Sequence, residues 1–315
     1  RAGEANETVL SGDFNGDDVI SGSGATLNID NKAENCYHVF YNPAGLGLTN
    51  IDILDGFTIC GGNANSAPTH NNGGGIYNST NSPVISNCTI FGNYADNGGG
   101  IHNLNSNPTL LNTIISRNRA SYGGGIHNFN NSNPIITSCA INNNTASTNG
   151  GGVYSLYISN PTITNCAINN NTASSDGGGV YSNSNSNPTI ANSTISNNAA
   201  LNGGGMHNSI LSDGIVSNCV ITENSASSEG GGIFVGDDTT PKFINCTISK
   251  NIALYGGGVY CYGFTNPTIS NSIIMNNTAL EGEQFFIISS GTATLNYSCY
   301  SDLGDDITII RSEEH

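Results

Sequence analysis

The sequence predicts an all-β solenoid, a parallel β-helix with about 26 residues and three short strands per turn. The first observation is a Gly-Gly-Gly triplet followed by an aliphatic residue and then an aromatic residue or histidine, as in residues 73–77. Eight such triplets begin at residues 73, 98, 123, 150, 177, 203, 230 and 256, and repetition at a fixed period is typical of repeat architectures. The second observation is that no window keeps a 3.6-residue apolar period, which disfavours helix.

Each repeat contains three predicted strands separated by polar turns. The first strand follows the glycines, the second follows a turn ending in proline such as Pro83, and the third begins at Cys88 and ends in a turn at Asn93. Because each strand recurs one coil later, each strand is predicted to pair in parallel with the equivalent strand of the next coil, about 4.8 Å away. Side-chain alternation then directs Ile76 inward and Tyr77 outward.

Two columns of repeated residues are predicted to line the corners of the coil. A column of small residues is expected to pack inside as an inert ladder: Cys88, Thr113, Cys139, Cys166, Ser193, Cys219, Cys246 and Ser272. A column of asparagines is expected to stack its amides and adopt left-handed backbone: Asn87, Asn112, Asn165, Asn192, Asn218, Asn245 and Asn271.

The repeats divide the chain into three parts. Residues 1–62 are predicted to form irregular, capping turns, because a solenoid needs an atypical end to cover its open core. Residues 63–280 form the regular repeats. Residues 281–315 contain a last degenerate turn and a tail, and the chain begins with Arg rather than Met, which indicates a processed or excised segment.

The charge balance excludes several classes of partner. The chain has 7 basic and 23 acidic residues, a formal net charge of −16, and its basic residues are scattered. Nucleic acids and anionic membrane surfaces are bound by clustered Lys and Arg, so neither is predicted as a partner. No apolar run of about 18 residues is present, and no membrane insertion by this segment is predicted.

The repeats resemble those of a known group of secreted proteins. The GGGIYN motif at residues 73–78, followed by Cys88-Thr89-Ile90-Phe91-Gly92-Asn93, is similar to the paired GG[A/I/L] and FxxN repeats of polymorphic outer-membrane proteins and adhesin-like proteins. Residues 8–13 and 53–59 resemble the N-terminal segment of the same group. This resemblance implies a right-handed β-helix and an extracellular or cell-surface location. Ile replaces the usual Phe in most of the FxxN-like motifs.

The position two residues after each triplet is the first candidate binding surface. We name it the ring column: Tyr77, His102, His127, Tyr154, Tyr181, His207, Phe234 and Tyr260. By alternation these side chains are expected to project outward into solvent, where the column could stack against the sugar rings of a polysaccharide or anchor a surface protein. The alternative is a ladder that only stabilises the sheet through neighbour stacking.

An acidic turn near the N-terminus is a candidate calcium loop. Asp13, Asn15 and Asp17 offer oxygen ligands at positions 1, 3 and 5. The glutamate expected at position 12 is absent, since Gly24 stands there, and a solvated acidic turn is the alternative. No other cofactor is predicted.

Two sets of carboxylates are candidates for general acid–base chemistry. Asp176 and Glu229 precede triplets two turns apart, roughly 10 Å, which is at the edge of the separation used by inverting glycosidases. Asp213 lies one turn from Asp237 and Asp238. No loop insertion that would form a groove adjoins either set, and no basic cluster is present for a lyase acting on uronates.

These observations favour a non-enzymatic extracellular or cell-surface β-helix, an adhesin-like stalk that binds glycans or a protein partner. The alternative is a carbohydrate-active β-helix enzyme, a glycoside hydrolase or polysaccharide lyase, with the carboxylates named above as its catalytic groups. Turn lengths vary by only one or two residues, which favours the first interpretation.

Overall fold

The computed structural model describes residues 8–66, 70–301 and 309–310. The described chain winds into a coil whose strands form long parallel sheets running along its axis. The predicted parallel β-helix with three strands per turn is therefore confirmed. The expected frayed tail at residues 302–315 lies outside the described residues, apart from one strand at Ile309–Ile310.

Three sheets carry the three predicted strands of each turn. Sheet I, which follows the glycines, contains Phe40–Asn42, Ile76–Ser79, Ile101–Leu104, Ile126–Phe129, Val153–Leu156, Val180–Asn183, Met206–Asn208, Ile233–Gly236, Val259–Tyr262 and Phe285–Ile288. Sheet II, which follows the prolines, contains Ile53–Asp55, Val84–Ser86, Thr109–Leu111, Ile135–Thr137, Thr162–Thr164, Thr189–Ala191, Ile215–Ser217, Lys242–Ile244, Thr268–Ser270, Ala293–Asn296 and Ile309–Ile310. Sheet III contains Thr8–Ser11, Phe57–Cys60, Thr89–Phe91, Ile114–Ser116, Ala140–Asn142, Ala167–Asn169, Thr194–Ser196, Val220–Thr222, Thr247–Ser249, Ile273–Met275 and Cys299–Tyr300.

A fourth, shorter sheet forms where the sequence predicts only a turn after each Asn-x-Ala segment. Sheet IV contains Asn63–Ala64, Tyr94–Ala95, Arg119–Tyr122, Thr145–Asn149, Thr172–Ala173, Ala199–Asn202 and Ser225–Glu229. Its alanines face inward and are buried, as Ala146 and Ala173 illustrate. Sheet IV carries the chain from sheet III to the next triplet, so it fixes where the residue before each triplet stands.

The register is in phase from turn to turn, which gives one continuous core. Ile101 pairs with Ile76 on one side and with Ile126 on the other. Stacked Ile, Val and Leu side chains from sheets I, II and III fill the interior with essentially no solvent exposure. The predicted cysteine column lies in this core, where Cys88, Cys139, Cys166, Cys219 and Cys246 are free thiols.

The glycine triplets allow the turns to stack closely. Gly177 has φ of +67°, a left-handed conformation that glycine adopts without strain. A Cβ on Gly178 would lie 2.5 Å from the carbonyl oxygens of Ala199 and Gly204. A Cβ on Gly179 would lie 2.6 Å from the Gly205 carbonyl oxygen and 2.9 Å from the Asn198 amide nitrogen. Any side chain at these positions would push successive turns apart.

The main asparagine ladder lies inside the coil, in the Asn-x-Ala position rather than at the predicted corner. Its members are Asn93, Asn118, Asn144, Asn171, Asn198, Asn224, Asn251 and Asn277. Asn198 is typical: its Nδ2 donates to Ile168 O at 2.9 Å and to Asn224 Oδ1 at 3.0 Å. Its Oδ1 accepts the backbone N–H of Asn171 at 2.9 Å. The ladder therefore satisfies backbone groups where the chain leaves sheet III.

The predicted corner asparagines adopt left-handed backbone, as expected, with φ between 48° and 56°. Their contacts along the axis are longer than those of the interior ladder. Asn218 donates to Asn192 at 3.2 Å, and Asn112 donates to Asn87 at 3.4 Å. At this corner the backbone conformation explains the choice of asparagine better than the amide stack does.

The N-terminal part of the chain adds a clasp to the side of the coil. The clasp consists of an antiparallel hairpin, Val19–Ser21 with Asn28–Asp30, and two 3-10 turns, Gly24–Thr26 and Lys32–Glu34. Strands of residues 40–60 already pair in register with the next turn. The described part of the chain contains no helix of the length and apolarity needed to cross a bilayer.

Candidate functional site

The ring column lies on the outer face of sheet I, but its side chains are buried. Their exposed fractions run from 3% for His102 and Tyr260 to 8% for Tyr77 and Phe234. The expectation that these rings project into solvent is therefore wrong. Alternation correctly places them outside the core, but it does not report how far neighbouring turns cover them.

The rings are buried because they cover one another. His127 and Tyr154 stack with centroids 4.8 Å apart and planes 5° apart, and Tyr181 continues the stack. His207 stacks on Phe234 at 4.2 Å, followed by Tyr260. With their faces covered, these rings present mainly edges outward, so they do not form a platform for stacked sugars. Neighbour stacking, the alternative interpretation, accounts for most of the column.

The stacking is interrupted at three contacts where one ring turns edge to face with the next. Tyr181 and His207 meet at an interplanar angle of 85°, His102 and His127 meet at 72°, and Tyr77 and His102 meet at 66°. Cavities open beside two of these contacts: one of about 510 Å³ beside Tyr181 and His207, and one of about 260 Å³ beside His102 and His127. The ring column is therefore the floor of a groove that contains these two cavities.

Two walls rise beside this floor. The polar wall consists of the residues just before each triplet, which pair from turn to turn, including Asn72, Asn97, Tyr122, Asn149, Asp176, Asn202, Glu229 and Tyr255. The opposite wall comes from the position two residues after each ring, where Leu104, Phe129 and Leu156 pair in sequence. Sheet IV and sheet I thus supply the two sides, so a groove forms here without the loop insertion that would ordinarily build one.

The larger cavity brings together carboxylates from three turns. Asp176 and Glu229 stand two turns apart on the polar wall, and Asp237 faces them from the turn after sheet I. Asn202 lies between the first two and donates its Nδ2 to Asp176 Oδ1 at 3.0 Å. Asp237 accepts the hydroxyl of Ser209 at 2.8 Å. None of the described lining residues is Lys or Arg.

The other two predicted carboxylates are not part of this cavity. Asp213 is exposed and replaces an asparagine in an outer ladder, in which its N–H donates to Asn187 Oδ1 and its own Oδ1 accepts the N–H of Thr240. Asp238 does not line the cavity and has a left-handed φ of 60°. The structure therefore separates the predicted group of Asp213, Asp237 and Asp238 and joins Asp237 to Asp176 and Glu229.

Burial sets the protonation of the floor. It lowers the pKa of His207 from 6.5 to about 4, although Asp176, whose Oδ1 lies 3.7 Å from His207 Nδ1, opposes the shift. Burial also raises the pKa of Tyr181 to about 12. The pKa of Tyr260 is raised by burial first and then by Glu229. At neutral pH the floor therefore offers neutral imidazole and phenol edges.

The smaller cavity has a different lining. His102 and His127 form its floor, Leu104 and Phe129 form one side, and the other side carries asparagine amides including Asn97. Burial lowers the pKa of His127 to about 3. Burial also lowers the pKa of His102 well below 6.5, and the charge of His127 is a lesser cause of that shift. Both rings are therefore neutral at ordinary pH, and the described residues around them add no third metal ligand.

Several groove residues were missed by sequence reasoning. Tyr262 and Ile288 line the larger cavity from the wall opposite the polar wall. Asn183 also lines this cavity, and it donates its Nδ2 to Tyr181 Oη at 2.7 Å. Tyr262 is 45% exposed, so its ring, unlike those of the ring column, offers a free face. Tyr262 lies two residues after Tyr260 on the same strand. Side chains at positions i and i+2 of a strand point to the same face, so this spacing could have identified Tyr262 from the sequence.

The candidate calcium ligands lie in the turn that leads into the clasp, and the structure brings Asp18 and Glu34 beside them. Oxygens of Asp13, Asp17, Asp18 and Glu34 all lie within 4.8 Å of one another. Asn15, which is also predicted as a ligand, accepts the N–H of Asp17 through its Oδ1 at 3.3 Å.

Comparison with known proteins identifies the family. The chain matches the family described as right handed beta helix region over residues 56–211 and 174–307, which together span most of its length. No curated protein and no solved structure matches it. With the eight triplets, the in-register sheets and this match, the chain belongs to the right-handed β-helix family.

Proposed function

We propose that this protein is a non-enzymatic extracellular or cell-surface stalk that binds a neutral polysaccharide along the groove above the ring column. The larger cavity, bounded by Asp176, Glu229 and Asp237, is the principal binding site for the polysaccharide. The observation that carries the proposal is the convergence of carboxylates, amides and phenol edges in one open cavity of about 510 Å³. A surface protein as ligand is an outcome that the test below distinguishes.

The chemistry of the cavity suits sugar hydroxyls. Carboxylate oxygens accept hydrogen bonds from hydroxyl groups, and the amides of Asn183 and Asn202 both donate and accept. The absence of Lys and Arg among the described lining residues disfavours a uronate polymer, whose carboxylates would meet Asp176 and Glu229 without neutralisation. A neutral glycan incurs no such repulsion.

Tyr262 supplies the apolar contact that the buried rings cannot offer. Its 45% exposure on the cavity wall leaves a face on which a sugar ring can pack, and Ile210 at 46% exposure extends the apolar surface. Together with hydrogen bonds from the opposite wall, this arrangement would grip a sugar between one apolar and one polar side, as small-molecule sites commonly do.

Family membership supports a surface-binding or carbohydrate-active β-helix protein in general. The extracellular or cell-surface location rests on the resemblance of the triplet and FxxN-like repeats to those of secreted proteins. In-register stacking of short turns also suits a stalk, because each added turn lengthens the coil by about 4.8 Å while repeating the groove.

Affinity electrophoresis and calorimetry against neutral and uronic polysaccharides test this proposal. We expect retardation by at least one neutral polymer and none by uronic polymers. Tyr262→Ala and Asp237→Asn should each weaken binding about tenfold, the effect of losing roughly 1.4 kcal/mol. Phe264→Ala is the matched control, since Phe264 is 73% exposed just after the same strand and does not line the cavity.

Unchanged affinity in Tyr262→Ala and Asp237→Asn would remove the cavity from the proposal. Binding to a surface protein with no binding to any polysaccharide would replace the ligand class. Either result leaves the ring column as a structural ladder.

A glycoside hydrolase is the second candidate, and a specific observation favours it. Asp176 and Glu229 share a cavity at a backbone separation of two turns, about 10 Å, near the range of inverting enzymes. One carboxylate would protonate the leaving oxygen and the other would activate a water. Release of reducing ends from a bound polymer, abolished by Asp176→Asn or Glu229→Gln with binding retained, would establish the enzyme and overturn the non-enzymatic proposal.

A further inference from the structure

The acidic cluster in the N-terminal clasp carries an inference that does not depend on the proposed function. Asp13, Asp17 and Asp18 come from the turn before the hairpin, and Glu34 comes from the 3-10 turn after it. Their oxygens lie within 4.8 Å of one another. Oxygens bound to one Ca²⁺ at 2.3–2.6 Å are separated by at most about 5 Å, so the four fit one coordination sphere.

Several oxygens at this cluster are buried and have no hydrogen-bond partner. They are Asp18 Oδ1, Glu34 Oε1 and Asn35 Oδ1. Asn35 is 92% buried, and its carboxamide lies against the cluster, since its Nδ2 is 2.6 Å from Asp18 Oδ2. Buried polar atoms nearly always have a partner, so three orphaned oxygens beside four acidic side chains favour a cation as the partner here.

No described cationic side chain forms an ion pair with these carboxylates. The acid–base contacts among described residues lie elsewhere, at Lys250 with Glu223 and at the neutral His207 ring with Asp176. Lys32, the nearest basic residue in sequence, favours the charge on Asp18, but its Nζ donates to Ile29 O at 2.7 Å and lies over the Tyr94 ring at 5.0 Å. Four acidic side chains therefore meet with no described cation paired to them.

The position of the cluster shows what an ion would do there. The hairpin between its two halves lies across successive turns of the coil: Arg119 donates to Leu27 O at 2.7 Å, and Thr145 donates to Gly24 O at 2.8 Å. At the base of the hairpin, Asn63 donates to Lys32 O at 2.7 Å. An ion bound at the base of the hairpin would join the segments that enter and leave it.

The geometry points to a calcium site formed by Asp13, Asp17, Asp18 and Glu34, with Asn35 beside it, that fastens the clasp to the first turns of the solenoid. Calcium fits better than magnesium, because Mg²⁺ demands a near-ideal octahedron at about 2.1 Å and retains its waters, whereas Ca²⁺ accepts several carboxylates in irregular arrangements. Oxygen-only ligands also disfavour zinc.

Calorimetric titration of the EDTA-treated full chain with CaCl₂ tests the site. We expect one Ca²⁺ per chain, with little heat from MgCl₂ at the same concentrations up to about 10 mM, which covers the affinities of extracellular calcium modules. Calcium should raise the thermal midpoint and slow trypsin cleavage at Lys32. Absence of calcium binding over this range, or equal binding of magnesium, would overturn the assignment.

Glu34→Gln and Asp18→Asn should each abolish the calcium-dependent rise in midpoint. Because each removes an uncompensated charge, neither should lower the midpoint measured in EDTA, which separates loss of the site from failure to fold. Asp30→Asn is the matched control: Asp30 lies in the same hairpin, its carboxylate accepts Asn28 Nδ2 at 2.7 Å, and it is outside the cluster. Calcium stabilisation retained in Glu34→Gln and Asp18→Asn would also overturn the site.

Discussion

Tyr181 and His207 occupy equivalent positions on neighbouring turns, yet their rings meet at 85° with centroids 4.8 Å apart. On one side Tyr181 is stacked on Tyr154, and on the other side His207 is stacked on Phe234. The change of orientation coincides with the larger cavity. This cavity therefore lies where the ring of a histidine beside Asp176 meets the preceding tyrosine edge to face.

Acid should destabilise the fold through the buried histidines. The folded pKa of His207 is about 4 against 6.5 in a free side chain, so as the pH falls below 6.5 the unfolded state binds a proton that the folded state does not. The stability present above pH 6.5 is lost as the pH falls towards 4, by about 1.4 kcal/mol per pH unit for each histidine.

His207→Phe should flatten this dependence, since Phe234 already occupies the next position of the column. Urea unfolding of both proteins at pH 7 and pH 4.5 measures the difference. A pH dependence identical to that of the unsubstituted protein would show that this ring titrates freely in the folded state.

The interior asparagine ladder should be essential to stability. Asn198→Ala leaves the backbone N–H of Asn171 buried without its partner, at about 1–3 kcal/mol, and also removes the side-chain hydrogen bond to the Ile168 carbonyl. We expect a large fall in the denaturation midpoint. Asn192→Gly is the control, because Asn192 has φ of +50° at an outer corner and its side chain makes one 3.2 Å contact. Equal effects of the two substitutions would contradict a special role for the interior ladder.

The second glycine of a triplet should tolerate no side chain. Gly178→Ala places a methyl group 2.5 Å from two backbone carbonyl oxygens, which only separation of the turns can relieve. We expect loss of soluble folded protein or a midpoint lower by many degrees. Gly47→Asn, at a left-handed position with open space around it, should change the midpoint little. Circular dichroism melting compares the two, and a stable Gly178→Ala protein would refute the close-stacking argument.

The buried cysteines should be unreactive in the folded protein. Burial raises the pKa of Cys219 to about 11, so the thiolate is scarce as well as inaccessible. Ellman's reagent should modify exposed Cys299 quickly and the core column only after unfolding, and Cys299→Ser should remove the corresponding part of the fast phase. Rapid labelling of Cys139 or Cys166 in native protein, detected by mass spectrometry, would show that the coil opens.

The architecture was predictable because stacking in register forces the same residue type into the same position of every turn. The period, the inward aliphatic positions and the cysteine column all follow from that constraint. Sheet IV was missed because segments such as Tyr94–Ala95 are too short to show alternation, and their strand conformation comes from pairing with neighbouring turns.

The candidate site was only partly predictable. Sequence spacing placed Asp176 and Glu229 two turns apart, and the structure keeps that relation. The position of Asp237 in the cavity with Asp176 and Glu229 goes with a left-handed backbone at that residue, with φ of 53°. No local sequence pattern predicts that conformation. The burial of the ring column depends on the orientation of each ring against the next, and alternation carries no information about ring orientation.

The backbone hydrogen bonds of the triplets have a consequence for the whole coil. Gly177, Gly178 and Gly179 donate their N–H groups to Asn202, Gly203 and Gly204 of the following turn, and the same direction is repeated from residue 73 to residue 259. Neighbouring peptide dipoles there point the same way and add up, as they do in an α-helix. The column of triplets therefore carries a local dipole along the axis, with its positive pole towards the C-terminal end of the coil, where the carbonyls of Glu281 and Glu283 accept the N–H groups of the last triplet.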